Sequence, residues 1–170
     1  MIVTFIPAAG ASSRMGNRDK LLETIDGEPI LRRTARIACE ADLGPVLVGL
    51  RPENTARRKT LAGMNVGIVD VADATEGMAA TLRAGALAAI EEIMSCHEDE
   101  YEYSGMMILL PDMPEITSED LKTMDSHFQC SGGASLRAID AQGKFGHPTI
   151  FPLQLLRDFE ILAGDTGASA

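Results

Sequence analysis

Arg14, Arg18 and Lys20 put three cations within seven residues, inside a stretch whose other members are mostly small: Ala8-Ala9-Gly10-Ala11-Ser12-Ser13-Arg14-Met15-Gly16-Asn17-Arg18-Asp19-Lys20. Gly10 and Gly16 permit positive φ and carry no Cβ, so such a loop can bring backbone N–H groups against an anion while the cations supply charge. The chemistry implied is phosphate binding. The plainer reading is a tight turn with solvated basic side chains. Two familiar phosphate loops do not fit. Lys20 lies four residues beyond Gly16, which excludes G-x-x-x-x-G-K-[ST], and the two glycines stand six apart, which excludes G-x-G-x-x-G.

Asp112 is the second group with chemical potential, in Leu110-Pro111-Asp112-Met113-Pro114. A carboxylate at the end of a buried strand, facing a phosphate loop, is a hard oxygen ligand of the kind Mg²⁺ combines with phosphate oxygens. Its plainer role is a turn acid before Pro114. No Ser-His-Asp or Cys-His arrangement suggests a covalent intermediate. His97, beside Glu98, Asp99, Glu100 and Glu102, reads as part of a solvated insertion rather than a metal cluster. Arg57, Arg58 and Lys59 read as a solvated helix face.

The elements that must position these groups alternate. Ile2 to Pro7 is an apolar, β-branched run suited to a buried central strand, and it runs directly into the small-residue loop. Leu21 to Ile25 could be extended, with a turn at Asp26-Gly27, and Pro29 suits the first position of a helix that ends before Gly44-Pro45. Val46–Leu50 reads as a second buried strand, Val66–Val71 as a third strand candidate and Gly105–Leu110 as a fourth, fully apolar strand. Helices are expected over Pro52–Leu61, up to about Met94 with a clear pattern from Leu82, and from a Thr117 cap to Phe128. Ser135–Ile139 and Phe145–Phe151 read as a hairpin turning at Gly143, followed by a helix over Pro152–Leu162. This alternation predicts a three-layer α/β domain with a mainly parallel sheet. In such sheets ligands sit beyond the carboxyl ends of the strands, where the Ala8 to Lys20 loop, Glu76-Gly77-Met78 and Asp112 converge.

Length and composition set the class. A chain of 170 residues, 45% hydrophobic and 24% charged, predicts one domain with a sizeable core over residues 1–170. The net charge of −10 disfavours a nucleic-acid partner, which would need a basic face. No apolar run is long enough to span a bilayer, and no leader precedes the first strand, so no membrane association and a cytoplasmic location are expected. Cys39, Cys96 and Cys130 are odd in number and widely spaced, giving neither a disulfide framework nor a zinc site.

The first loop resembles the nucleotidyltransferase signature A-A-G-x-S-x-R-M-G-x-x-K, nearest to the molybdenum cofactor cytidylyltransferases and their guanylyltransferase relatives. The blocks Glu76-Gly77-Met78-Ala79-Ala80-Thr81-Leu82, Leu110 to Pro114, Gly146-His147-Pro148 and Gly164-Asp165-Thr166-Gly167-Ala168 extend the likeness over nearly the whole chain, in family order. The resemblance implies a Rossmann-like, glycosyltransferase-A-like fold and Mg²⁺-assisted transfer of CMP from CTP to the phosphate of molybdopterin, releasing pyrophosphate. It implies nucleotide contacts from Ala8, Ala9, Gly10, Ser12, Arg14, Gly16, Lys20 and Gly77, with Arg14 and Lys20 on the triphosphate. It further implies metal binding by Asp112 and substrate contacts from Thr81 and His147. Ala8-Ala9-Gly10 matches the cytidylyl form, whereas Arg18-Asp19-Lys20 has the guanylyl spacing, so GTP, or a sugar or polyol phosphate acceptor, is the alternative.

Three departures qualify this likeness. Val71-Ala72 stand where the family commonly has Asn-Pro, and Ser169 stands where an arginine usually follows Gly-Asp-Thr-Gly-Ala. The family's later D-x-D-T-P block, which supplies another metal ligand, is missing. The expectation is therefore a shortened or impaired nucleotidyltransferase, or a silent homologue that delivers nucleotide or cofactor to a client molybdoenzyme.

Overall fold

The computed structural model describes residues 1–10, 19–95 and 104–164. At its centre lies β1 (Ile2–Pro7), buried at all six positions. Six consecutive side chains are buried together only where both faces of a strand are covered. β4 (Val46–Leu50) and β6 (Gly105–Ile108) flank β1 in parallel, and β5 (Gly67–Asp70) pairs in parallel with β4. On the other side β8 (Phe145–Pro152) runs antiparallel to β6, and β7 (Leu136–Ile139) runs antiparallel to β8, giving the order β5-β4-β1-β6-β8-β7. A two-stranded ribbon, β2 (Thr24–Ile25) with β3 (Glu28–Pro29), stands apart from this sheet.

Alternation along β1 assigns its side chains to two cores. Ile2 and Ile6 pack with Leu31 and Ala35 of α1 (Ile30–Ala41) and with Leu121 and Phe128 of α4 (Ser118–Cys130). Val3 and Phe5 pack with Leu82, Ala86, Ala89 and Ile93 of α3 (Met78–Ser95) and with Phe159. α3 lies unusually close to the sheet: a Cβ added at Gly85 would stand 2.4 Å from the Phe5 ring, and one at Gly49 would stand 2.8 Å from it. The two glycines make the slot for a phenyl group whose burial contributes about 1.5–3 kcal/mol. The result is the expected three-layer α/β fold with a mostly parallel sheet.

Several local expectations are corrected. Of the run Leu21 to Ile25 expected as extended, Thr24–Ile25 is a strand, whereas Leu21 and Leu22 belong to a 3-10 turn over Lys20–Leu22, capped by the Asp19 side chain accepting from the Leu21 N–H. Pro29 is the residue before α1, with an extended ψ of 139°, not its first helical residue. α2 (Thr55–Thr60) starts later than expected, where Asn54 accepts from the Arg57 N–H. The stretch expected as a last helix divides into α5 (Leu153–Leu156) and a 3-10 turn at Arg157–Ile161. At α4, Thr117 and Asp120 form the reciprocal capping box read from the sequence. No helix among the described residues is long and apolar enough to cross a membrane.

Candidate functional site

The chain leaves β1 at a switch point. The helix after β1 packs on one face of the sheet, while α3, which leads into β6, packs on the other. A crevice at the carboxyl ends of β1 and β6 follows from that change of side. Hydrogen bonds carry the strands into it: Ala8 N–H donates to the Gly49 carbonyl at 2.9 Å, and Leu109 N–H to the Phe5 carbonyl at 3.0 Å. Ala8 and Ala9 are each only 1% exposed, and Gly10 is the first residue to emerge. Gly10 does not use the positive φ that glycine permits. Among the described residues nothing lies within 4 Å of a Cβ added at Gly10.

The carbonyls of this segment are held from behind. Arg51 Nε donates to Ala9 O at 2.8 Å. Arg57 Nη1 donates to Ala8 O and, at 3.0 Å, to Gly10 O. The same guanidinium grips the Asp19 carboxylate with two parallel bonds, Nε to Oδ2 at 2.7 Å and Nη2 to Oδ1 at 2.8 Å. Asp19 caps the turn that carries Lys20, and Lys20 Nζ reaches Asp112 Oδ2 at 3.0 Å across 92 residues of sequence. Both members of that pair are open to solvent, at 47% and 42%. The carbonyl of Pro111, before Asp112, lies 3.1 Å from the buried Thr34 hydroxyl of α1, which shares its single proton between it and the Ile30 carbonyl at 3.1 Å.

The other half of the crevice is a cleft of about 390 Å³ between α3 and the β6, β8 and β7 strands. Met78, Leu82, Ile108, Leu110, Leu136 and Phe151 line it with apolar surface, and Arg137, His147, Thr149 and Ser135 supply its polar groups. His147 Nδ1 and Thr149 Oγ1 are buried without a hydrogen-bond partner. Burial holds the His147 ring below the ordinary histidine value. The Ile108 carbonyl pulls it back up, Arg137 lowers it further and Asp112 raises it.

The structure thus pairs Lys20 with Asp112 and sets Asp112 within electrostatic reach of His147, while Ala8 and Ala9 are buried, Gly10 is exposed, and His147 is the one of these six that lines the cleft. Gly77 ends a 3-10 turn at φ 99° and ψ −164°, a conformation that needs glycine. Directly after it, Ala79 N–H donates to the Gly164 carbonyl at 3.1 Å. Thr81, expected at the substrate, is 2% exposed and does not line the cleft. Its methyl group would stand 3.3 Å from a Cβ at Gly49, so it belongs to the helix–sheet packing. Ser12, Arg14 and Gly16, the insertion around His97, and the block from Asp165 to Ala170 lie outside the described residues.

The solvated reading of all three α2 cations is overturned at Arg57, which is 3% exposed; Arg58 pairs with Asp70 on the surface, and Lys59 is exposed. A signal was available. Three consecutive helical residues fan over about 200°, so a short helix lying on a protein must turn one of them inward. Arg51, Thr34, Arg137 and Thr149 carried no such signal.

A divalent metal fits the crevice on donor chemistry. Among the described residues no group of three or more His, Cys, Asp or Glu side chains could enclose one. Asp112 offers a single accessible hard carboxylate beside a cationic loop, which matches a small ion that completes its sphere with water and phosphate oxygens.

Fold and crevice together define a three-layer α/β protein whose ligand face lies at the carboxyl ends of its parallel strands. Residues 4–170 match the profile of the MobA-like NTP transferase domain, and the chain belongs to that family. It is thereby a nucleotidyltransferase. Among solved structures it is similar to Rv0371c from Mycobacterium tuberculosis H37Rv, at 25% identity and a TM-score of 0.71, over 98% of this chain and 78% of that one. A manganese complex of Rv0371c aligns at 22% identity and a TM-score of 0.69, over 96% of this chain and 77% of that one. A nucleotidyl transferase from Methanothermobacter, Mth528, aligns at 20% identity and a TM-score of 0.68, over 97% and 78% of the two chains. A 4-diphosphocytidyl-2C-methyl-D-erythritol synthase has the same fold at 17% identity and a TM-score of 0.63, over 95% and 79% of the two chains. No curated protein matches the chain by sequence.

Proposed function

We propose that the protein transfers CMP from CTP to the terminal phosphate of a molybdopterin cofactor, with release of pyrophosphate. The observation that supports this best is the 3.0 Å approach of Lys20 to Asp112. It joins the cationic loop to the acidic strand end at adjacent parallel strands, where a triphosphate and its counter-ion need opposite charges side by side. In this reading Gly10 and its flanking backbone receive the nucleotide, and Lys20 moves onto the triphosphate. An acceptor phosphate oxygen attacks the α-phosphorus, and the bond to the departing pyrophosphate breaks. Asp112 would hold a Mg²⁺ ion, whose chemistry is to offset charge building up on the phosphates. The protein's own contribution is positioning and fixed charge.

The acceptor half of the reading rests on the cleft beside His147. Its apolar lining suits the flat body of a pterin better than a polyol or sugar, which would leave hydroxyls facing Leu and Met side chains. His147 Nδ1 and Thr149 Oγ1 are the polar atoms such a ring would satisfy. The test is pyrophosphate release measured with CTP, GTP, ATP and UTP in turn, with Mg²⁺ and a molybdopterin acceptor. CTP should give the highest kcat/KM, and Lys20→Ala should lower it while Lys59→Ala does not. A preference for GTP, or equal losses from the two lysine variants, would reject the assignment.

A further inference from the structure

Arg57 makes an unusual set of contacts for a residue in a six-residue helix. One guanidinium, 3% exposed, bonds to the carbonyls on one side of the loop, Ala8 and Gly10, and to the carboxylate on the other, Asp19. In sequence those partners bracket residues 11–18 of the phosphate loop. The bonds to Asp19 are parallel and bidentate, the geometry in which arginine fixes orientation as well as distance. Asp19 in turn accepts from Leu21 N–H at 3.1 Å, so the same contact sets the turn from which Lys20 projects. Arg51 holds the intervening Ala9 carbonyl at 2.8 Å.

Two consequences follow from this wiring. The carbonyls of Ala8, Ala9 and Gly10 have their negative ends neutralised by the guanidinium groups, which favours an anion near this backbone. The separation of the Gly10 carbonyl and the Asp19 carboxylate, next to Lys20 in the chain, is also set by one rigid planar group.

We propose that Arg57 is the positioning residue for the nucleotide: it holds the two ends of the phosphate loop at the separation at which the Gly10 backbone and Lys20 engage one triphosphate. This rests on the nucleotidyltransferase reading of the crevice. Arg57 does not touch the nucleotide. Its charge is already matched by Asp19, so its effect comes from geometry and not from long-range attraction.

The experiment compares the parent with Arg57→Lys, which keeps the charge but cannot span a carboxylate and two carbonyls at once. Nucleotide Kd is measured by calorimetry on folded protein, alongside KM and kcat for the nucleotide and KM for the acceptor. Nucleotide Kd and KM should rise about tenfold to a hundredfold, with the acceptor KM unchanged and the loss not recovered at low ionic strength. Because breaking a buried pair can unfold a protein, the paired variant Arg57→Gln with Asp19→Asn serves as the second arm. It leaves no unmatched charge and should show the same rise. Parent-like nucleotide Kd and KM in either folded variant would overturn the proposal, as would a change limited to melting temperature. If the parent itself binds none of the four nucleoside triphosphates, the reading of the crevice fails; if it binds one and the variants bind it equally, only the role of Arg57 fails.

Discussion

Asp112 lies between the two halves of the crevice: Lys20 pairs with it from the loop side, and its charge reaches His147 on the cleft side. Exchanging it for asparagine separates its possible duties. A turn acid is replaced by Asn with little loss, and an ion pair this exposed contributes only about 0.2–1 kcal/mol. A hard dication, by contrast, loses the charge that holds it. Asp112→Asn should therefore melt within a few degrees of the parent while metal-dependent pyrophosphate release falls by about a hundredfold or more. Unchanged turnover in the folded variant would place the metal on other residues. Asp112 and Lys20 were legible as candidates in the sequence because each ends a recognisable run. Arg57 was not, because a buried arginine among surface ones looks the same in a string of letters, and its partners are backbone carbonyls that have no residue type.

At the scale of elements, the seat of the crevice depends on how closely α3 lies on the sheet. Phe5 occupies the slot left by Gly49 and Gly85, and the start of the same helix follows Gly77 and contributes Met78 to the cleft. Gly85→Ala improves intrinsic helix propensity by about 1 kcal/mol. It also places a methyl group 2.4 to 2.6 Å from three atoms of the Phe5 ring. Overpacking should win, giving net destabilisation of about 1–3 kcal/mol in denaturant unfolding. A more stable variant would mean that α3 shifts freely over the sheet. The strands and long helices were legible because their apolar patterns are long and both sides of β1 are apolar. The 3-10 turn at Lys20–Leu22 was not, since one side-chain cap outweighs the extended preference of Leu21 and Leu22. The burial of Thr81 was not legible because helical position alone does not tell which face meets the sheet.

For the whole molecule, the depressed His147 value makes stability depend on pH. As pH falls below about 6.5 the unfolded chain takes up a proton that the native ring resists, so stability declines. That contribution is fully lost once pH has dropped through the native-state value. The groups facing the ring, Arg137 lowering and Asp112 raising its value, modulate this without reversing it. Between about pH 7.5 and pH 5.5 the parent should lose more melting temperature than His147→Gln, whose side chain does not titrate. Equal losses would show that other groups govern acid sensitivity. The parallel sheet with its antiparallel edge was readable from the order of apolar runs and from Gly143, which turns at φ 79°. The cleft was not, because it forms between strands β6, β8 and β7 and a helix that are far apart in the chain.

The bond between Lys20 and Asp112 carries one more consequence. On the proposed reading each group is the other's placeholder: the ammonium occupies the carboxylate until a cation arrives, and the carboxylate occupies the ammonium until a triphosphate does. Either ligand alone would strand a charge, whereas both together swap partners and leave every charge matched. Nucleotide and divalent ion should thus enter as a couple, each raising the affinity for the other by the same factor, and the enzyme would discriminate the metal-bound nucleotide from the bare one before any chemistry begins.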